Sequence, residues 1–233
     1  MKVGVVVFPG SNCDHDMEHA YGRLLGAKVS KIWHRDTSLG QVDLVVIPGG
    51  FSYGDYLRTG ALASISPIMK AIKDFAAKGG PVIGICNGFQ ILCESQLLPG
   101  ALLQNVNRKF ISLFVNIKVD SQKSYFTKGV QVGTVISCPV AHGEGNYFAS
   151  SEEIARLEGE GQVVFRYCDS SGLVNPSDLD SNPNGSINSI AGVTNPQGNV
   201  VGLMPHPERA SEGLVGWIGG ASGLPVLSSA LSA

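Results

Sequence analysis

The chain has 233 residues, 43% of them hydrophobic and 15% charged, and its net charge at pH 7 is −2. That composition supplies the apolar material for one large domain over residues 1–233, falls short of two complete domains, and excludes a disordered chain. With no basic run and no excess of Lys and Arg, it gives no electrostatic reason to expect nucleic acid or a membrane surface as partner.

Residues 3–8 form the first β-branched apolar run, and Pro9-Gly10 ends it as turn residues end a strand. The run is too short to span a membrane and lacks the apolar core and cleavage site of a signal peptide, so a cytoplasmic chain is expected. A helix is expected over about 14–25. Residues 42–47 and 81–85 are further apolar runs, ending at Pro48-Gly49-Gly50 and Cys86-Asn87-Gly88. Continuous runs of this kind suit parallel strands buried on both faces. Between them Ser66 reads as an N-cap and Pro67 as the first helical position. Ile68, Ile72 and Phe75 then share one stripe, and Gly79-Gly80 stops the helix. A third helix is expected over 87–95. Strands alternating with helices predict a doubly wound, flavodoxin-like α/β fold, its mostly parallel central sheet flanked by helices and its ligands at the carboxyl ends of strands.

The second half changes pattern. Residues 111–119 and 130–137 alternate in part and predict added antiparallel strands, while 163–168, 189–194 and 200–204 read as further short strands. Residues 175–188, rich in Asn, Pro, Ser, Asp and Gly, read as a loop. The Gly-rich tail from Gly213 carries no assignable pattern. The five cysteines, Cys13, Cys86, Cys93, Cys138 and Cys168, are odd in number and lack metal-type pairing. Free thiols are expected rather than a disulfide framework.

Cys86 sits in Gly84-Ile85-Cys86-Asn87-Gly88-Phe89-Gln90, where a buried strand hands over to a helix. In a strand–nucleophile–helix elbow the central residue takes a strained backbone and small flanking residues let the turn close. The side chain then stands at the carboxyl edge of the sheet, and the helix directs the positive end of its dipole at the sulfur. G-x-C-x-G alone fits an ordinary tight turn around a buried cysteine equally well. The other cysteines lack this setting. Cys93 is expected inside a helix, and Cys13, near the same sheet edge, as a packing residue.

Met204-Pro205-His206-Pro207-Glu208 also follows an apolar run, and so opens at the edge where Cys86 stands. A histidine there can take the thiol proton and return it to a leaving amine, with Glu208 fixing its tautomer. A lone H-x-E is more often an incidental pair in a loop; two elements at strand ends of one domain reverse that preference. Pro48-Gly49-Gly50-Phe51 brings paired glycines to a third strand end. The backbone N–H of Gly50, with that of Asn87, offers two donors to a tetrahedral intermediate, although a plain Gly-rich turn fits the same residues. No nucleotide-binding glycine pattern is present. His142, in Ala141-His142-Gly143-Glu144-Gly145, fits a pocket wall and an exposed loop equally. His15, His19 and His34 read as structural or surface residues.

G-x-C-x-G-x-Q after a strand, Pro-Gly-Gly upstream and a late Pro-His-Pro-Glu resemble the class I, triad-type glutamine amidotransferases. More narrowly, the blocks at 8–14, 48–56, 84–90, 141–145, 182–186 and 205–209 are similar to the family of glutaminase subunits of phosphoribosylformylglycinamidine synthase. They run from the first strand almost to the C-terminus. One departure is Thr59, which stands where many relatives carry Cys. The resemblance implies that Cys86 attacks the side-chain amide of glutamine to give a glutamyl thioester and ammonia, and that water activated by His206 releases glutamate. It further implies Glu208 as third member of the triad, Gly50 and Asn87 as the oxyanion hole, and Gln90, His142 and Phe51 as substrate contacts. No metal or other cofactor is implied on this chain. Ammonia would pass through a channel to a large synthetase subunit, with a small bridging subunit, where ATP and Mg are expected. There it would convert formylglycinamide ribonucleotide to formylglycinamidine ribonucleotide in purine biosynthesis. Two rivals stand beside this reading. A flavodoxin-like hydrolase or redox-responsive protein with an elbow cysteine does not require Pro-His-Pro-Glu. A non-catalytic docking subunit predicts loss of Cys86, His206 or Glu208, and all three are present.

Overall fold

The computed structural model describes residues 1–215 and 222–231. The chain runs β1 (Lys2–Val7), α1 (Asp14–Glu18), β2 (Lys28–Trp33), β3 (Leu44–Ile47), α2 (Ala61–Ser64), α3 (Ile68–Ala77), β4 (Val82–Ile85), α4 (Asn87–Glu94), β5 (Ala101–Leu103), β6 (Ile111–Val119), β7 (Val135–His142), β8 (Asn146–Phe148), α5 (Ser151–Gly159), β9 (Val163–Cys168), β10 (Ile190–Thr194), β11 (Val200–Leu203) and α6 (Leu224–Ser229). Most of the unassigned Gly-rich tail, residues 216–221, lies outside the described residues.

Nine strands form one sheet in the order β2-β1-β3-β4-β11-β10-β9-β6-β7, while β5 and β8 pair separately. The first five of that order are mutually parallel. The remaining four continue the sheet antiparallel, as the sequence pattern predicts. Every residue of β3, β4 and β11 is buried, which is why these segments read as unbroken apolar runs. Each such Val, Leu or Ile side chain contributes about 1.5–3 kcal/mol through burial, so the strands form a rigid floor. Their register brings the site together. Ile47 of β3 opposes Gly84 of β4, and Ile85 opposes Leu203 of β11. The segments that begin at Pro48, Cys86 and Met204 therefore leave the sheet at one level.

Three local expectations give way to the structure. The partner strand of β6 is Val135–His142, not 130–137. Residues 130–134 turn instead, with Gly133 at φ 88° and the Thr134 N–H donating to Gln131 O. In consequence His142 ends a strand rather than following one. The helix expected over 14–25 is α only to Glu18 and then widens to a π-helix over His19–Leu24. Ser66 does not cap α3, which starts at Ile68; its hydroxyl is taken by Tyr53 Oη at 3.1 Å. Residues 175–188 are irregular, as expected; 175–180 are mostly exposed, while the second half of the segment packs inward. Asn182, Asn184 and Ser186 are buried, and Asn184 Nδ2 donates to Gly145 O and to Tyr167 Oη. Strand β2 and helix α5 were not expected from the sequence.

Candidate active site

Cys86 ends β4 at φ 51° and ψ −107°, a backbone that a side-chain-bearing residue rarely adopts. Both sides of the turn are locked. The Cys86 N–H donates to Leu203 O at 2.8 Å, and its carbonyl accepts from the N–H groups of Phe89 and Gln90 at 3.0 and 3.2 Å. A Cβ on Gly88 would lie 2.0 Å from Ile47 O, and one on Gly84 would lie 2.6 Å from the Gly88 carbonyl. The two glycines are thus a steric requirement of the elbow, and the alternative of an ordinary tight turn falls away. The sulfur stands at the start of α4, 3.7 Å from Ala141 O.

His206 follows β11. Its N–H donates to Pro139 O at 2.9 Å, which ties it to β7. The ring Nδ1 meets Glu208 Oε1 at 2.6 Å, and both side chains are buried. A carboxylate can only accept, so Nδ1 carries the hydrogen and Nε2 is left as the basic nitrogen. Nε2 makes no hydrogen bond of ordinary geometry. Its ring packs over Gly49, where a Cβ would sit 2.7 Å from His206 Cε1, 3.0 Å from Cys13 Sγ and 3.4 Å from Cys86 Cβ. Burial works against the imidazolium. The charges of Glu208 and Cys86 and the two neighbouring thiols outweigh it, so the pKa of His206 stands well above the ordinary value. A ring in that setting holds a proton taken from a thiol.

Cys13 is buried, as expected of a packing residue, but it is also part of this cluster. One ligand-type atom each from Cys13, His206 and Glu208 lie within 4.8 Å of one another. Burial pushes the Cys13 thiol up, and the neighbouring His206 offsets part of that rise.

Cys86 opens on a cavity of about 160 Å³, which Gly50, Phe51, Gln90 and His142 all line. A smaller cavity of about 120 Å³ shares Gly50, Phe51 and Cys86 and reaches Cys13 and His206. Glu208 lines neither and lies behind the imidazole. Gly50 has φ 144°, and a Cβ there would strike Asn12 N at 2.6 Å. Its N–H and that of Asn87, the first residue of α4, have no acceptor among the described residues. The Gln90 amide is already engaged, taking Asn87 Nδ2 at 3.0 Å and donating to Glu144 O at 2.6 Å. A larger groove of about 600 Å³ beside Arg58, Cys93 and Pro196 contains none of these residues.

Sequence reasoning gave no site role to Asp55, Thr59 and Glu144, which line the Cys86 cavity, or to Asn105, which organises its wall. Asp55 and Glu144 stood within quoted blocks, but nothing in their spacing linked them. Asn105 stood in no pattern at all.

A family described as a CobB/CobQ-like glutamine amidotransferase domain matches residues 1–217. The phosphoribosylformylglycinamidine synthase subunit PurQ of Moorella thermoacetica is 52% identical over 229 residues, covering 98% of this chain and 94% of that protein. The corresponding subunit of Chlorobaculum tepidum is 58% identical over 216 residues, with 93% and 91% covered. Among solved structures, a chain of PurLQS from Thermotoga maritima superposes with a TM-score of 0.84 at 43% identity, covering 99% of this chain and 97% of that one. With the elbow at Cys86, the His206–Glu208 pair and identity above one half along nearly its whole length, the chain belongs to the glutamine amidotransferase family of phosphoribosylformylglycinamidine synthase PurQ subunits.

Proposed function

We propose that the chain is the glutaminase subunit of a phosphoribosylformylglycinamidine synthase, with Cys86 as nucleophile, His206 as base and Glu208 as the group that orients and charges the imidazole. The observation that carries this reading is the positive-φ elbow of Cys86 packed with His206 around Gly49. Cys86 Sγ gives its proton to His206 Nε2 and attacks the carboxamide carbon of glutamine. The tetrahedral oxyanion is received by the N–H groups of Gly50 and Asn87; one such donor is worth about 3–4 kcal/mol of barrier. His206 then returns the proton to the leaving nitrogen, so ammonia departs and a glutamyl thioester stays on Cys86. A water molecule that gives a proton to His206 attacks the thioester, glutamate leaves, and the proton returns to the sulfur. Phe51 and His142 border the substrate, while Gln90 acts through the Glu144 carbonyl it holds.

In this reading ammonia passes to a large synthetase subunit, with a small bridging subunit in the assembly. ATP and Mg are used there, and formylglycinamide ribonucleotide becomes formylglycinamidine ribonucleotide. No described helix is long and apolar enough to cross a membrane, which is compatible with work in the cytoplasm.

The test combines a glutamine-mimicking alkylator with turnover. Adduct at Cys86, glutamate release by the wild type, and loss of both in Cys86→Ala are the expected outcome. A Cys86→Ala chain that still releases ammonia removes the assignment.

A further inference from the structure

The two backbone donors assigned to the oxyanion belong to different segments. Gly50 lies in the turn after β3, and Asn87 opens α4. Such a hole works only while its donors keep a fixed spacing. The turn after β3 does not hold its own shape. Tyr53, Asp55 and Leu57 stand at φ 55°, 57° and 70°, a left-handed backbone that side-chain-bearing residues keep only when their surroundings impose it. On one side the turn is tied to the end of β1, where the Phe51 N–H donates to Gly10 O at 2.9 Å and the Tyr53 N–H to Pro9 O at 2.6 Å. Towards α4, a single hydrogen bond joins residues 48–56 to 86–94 among the described residues. The buried Ser52 N–H donates to Asn87 Oδ1 at 3.2 Å.

That bond is the first of three in a row. Asn87 Nδ2 donates to Gln90 Oε1 at 3.0 Å, and Gln90 Nε2 donates to Glu144 O at 2.6 Å. The row begins at a backbone N–H, which can only donate, and ends at a backbone carbonyl, which can only accept. Both carboxamides are therefore held in one orientation, and neither can turn round without breaking two bonds. Asn87 and Gln90 are 1% and 4% exposed, so water does not replace a lost partner. Gln90 lines the cavity that opens on Cys86, whereas Asn87 lines neither cavity at the sulfur. The Asn87 carboxamide bonds only protein groups, and one of them lies two residues past Gly50.

We propose that the side chain of Asn87 is a positioning group for the oxyanion hole: by clamping the Ser52 N–H it sets the distance between the Gly50 N–H and the N–H of Asn87 itself. This rests on the glutaminase reading above. One residue then plays two separable parts. Its backbone gives the second donor, and its carboxamide holds the segment that gives the first. Gln90 and Glu144 O fix the carboxamide from the far side, so the clamp keeps its direction. Replacing the side chain leaves the backbone N–H at position 87 and frees the turn. The donors meet full negative charge only in the tetrahedral intermediate, so the loss falls on the chemical step and spares the binding of glutamine.

The test uses the full chain with its synthetase partner and the variants Asn87→Ala and Asn87→Ser, the second keeping a small polar group at the start of α4. For glutamine, kcat should fall about tenfold to a hundredfold, the scale of a displaced donor, with KM close to the wild-type value. Alkylation of Cys86 by iodoacetamide displaces iodide at a saturated carbon and forms no oxyanion. Its rate should stay at the wild-type value, which a disturbed elbow or an unfolded chain does not allow. Amide hydrogen exchange, followed by mass spectrometry on a peptide containing Ser52, should quicken in both variants. Unchanged kcat, or a rise in KM at constant kcat, overturns the proposal. Loss of alkylation in both variants makes Asn87 a residue of the elbow and overturns it as well. Exchange at Ser52 that stays at the wild-type rate removes the clamp whatever the kinetics show. Absence of glutamine turnover in the wild-type complex overturns the glutaminase reading itself, and the exchange measurement still decides the clamp.

Discussion

His142 is buried against Asn105 and Gly145, and its imidazole is held neutral, with a pKa of about 4 against an ordinary 6.5. Burial is the larger cause and the charge of His206 the second. Between those two values the unfolded chain binds a proton that the folded chain refuses, so this residue's contribution to stability falls as the pH drops from 6.5 towards 4. At 1.36 kcal/mol per unit the whole interval amounts to about 3 kcal/mol. His142→Gln keeps an amide for Asn105 to bond but does not titrate. Urea unfolding of both chains at pH 7 and pH 4.5 should show the wild type losing about 2–3 kcal/mol more than the variant on acidification. A wild-type-minus-variant difference that is the same at both pH values removes the assignment. The residue scale is also where the sequence spoke most unevenly. Cys86, His206 and Glu208 each stood within two residues of Gly or Pro just past a strand end, so local chemistry pointed to them. Cys13 had the same kind of position but no partner within reach along the chain. Its place beside His206 depends on how β1 and β3 are set in the sheet, which no short-range pattern encodes.

At the scale of elements, the elbow couples three neighbours: β3 supplies Ile47 O, β4 leads directly into Cys86, and α4 starts with Asn87 and Gly88. Because a Cβ on Gly88 would come within 2.0 Å of Ile47 O, Gly88→Ala has to push α4 away from β3. Overpacking of a rigid core costs about 1–3 kcal/mol, and here the displaced elements carry Gly50 and Asn87. The variant should melt lower and lose kcat by more than its loss of folded protein explains. Gly159→Ala is the control. It ends α5 with nothing within 4 Å and no positive φ, and alanine there should hold or raise stability by up to about 1 kcal/mol. A Gly88→Ala chain as stable and active as the control rules out the steric argument. The parallel half of the sheet was legible because strands buried on both faces have no alternation to misread. The antiparallel half was not. Strand β7 reads as well five residues earlier, and only the turn at Gly133 chooses between registers. Helix α5 did carry a local signal, since Ser150 accepts the Glu153 N–H in a Ser-x-x-Glu arrangement, but its short apolar stripe was hidden among charges. Strand β2 is an edge strand with four of its six residues exposed, too polar to stand out.

For the whole molecule, the chemistry proposed at Cys86 makes ammonia, which is lost to solvent unless another protein receives it. In the proposed reading the activation that consumes ammonia takes place on a separate synthetase subunit. Just past Asp55, which lines the Cys86 cavity, the chain presents Tyr56 and Leu57, 74% and 87% exposed. Large apolar side chains exposed side by side stay costly in water and gain when a partner covers them. A partner seated there borders the segment that carries Asp55 and, through Phe51, the Gly50 N–H of the proposed oxyanion hole. Docking and catalysis are then linked: a state that binds the synthetase better is one that the synthetase favours in return. Glutamate release by the isolated chain should accordingly be low, and should rise at least about tenfold, or 1.4 kcal/mol of barrier, when the synthetase and its nucleotide substrates are present. Glutamate and formylglycinamidine ribonucleotide should then appear in a ratio near one. The measurement is a paired assay of both products across a titration of the large subunit. Equal glutamate release with and without that subunit breaks the link between the two sites, and leaves Cys86 as the nucleophile of a free-standing glutaminase.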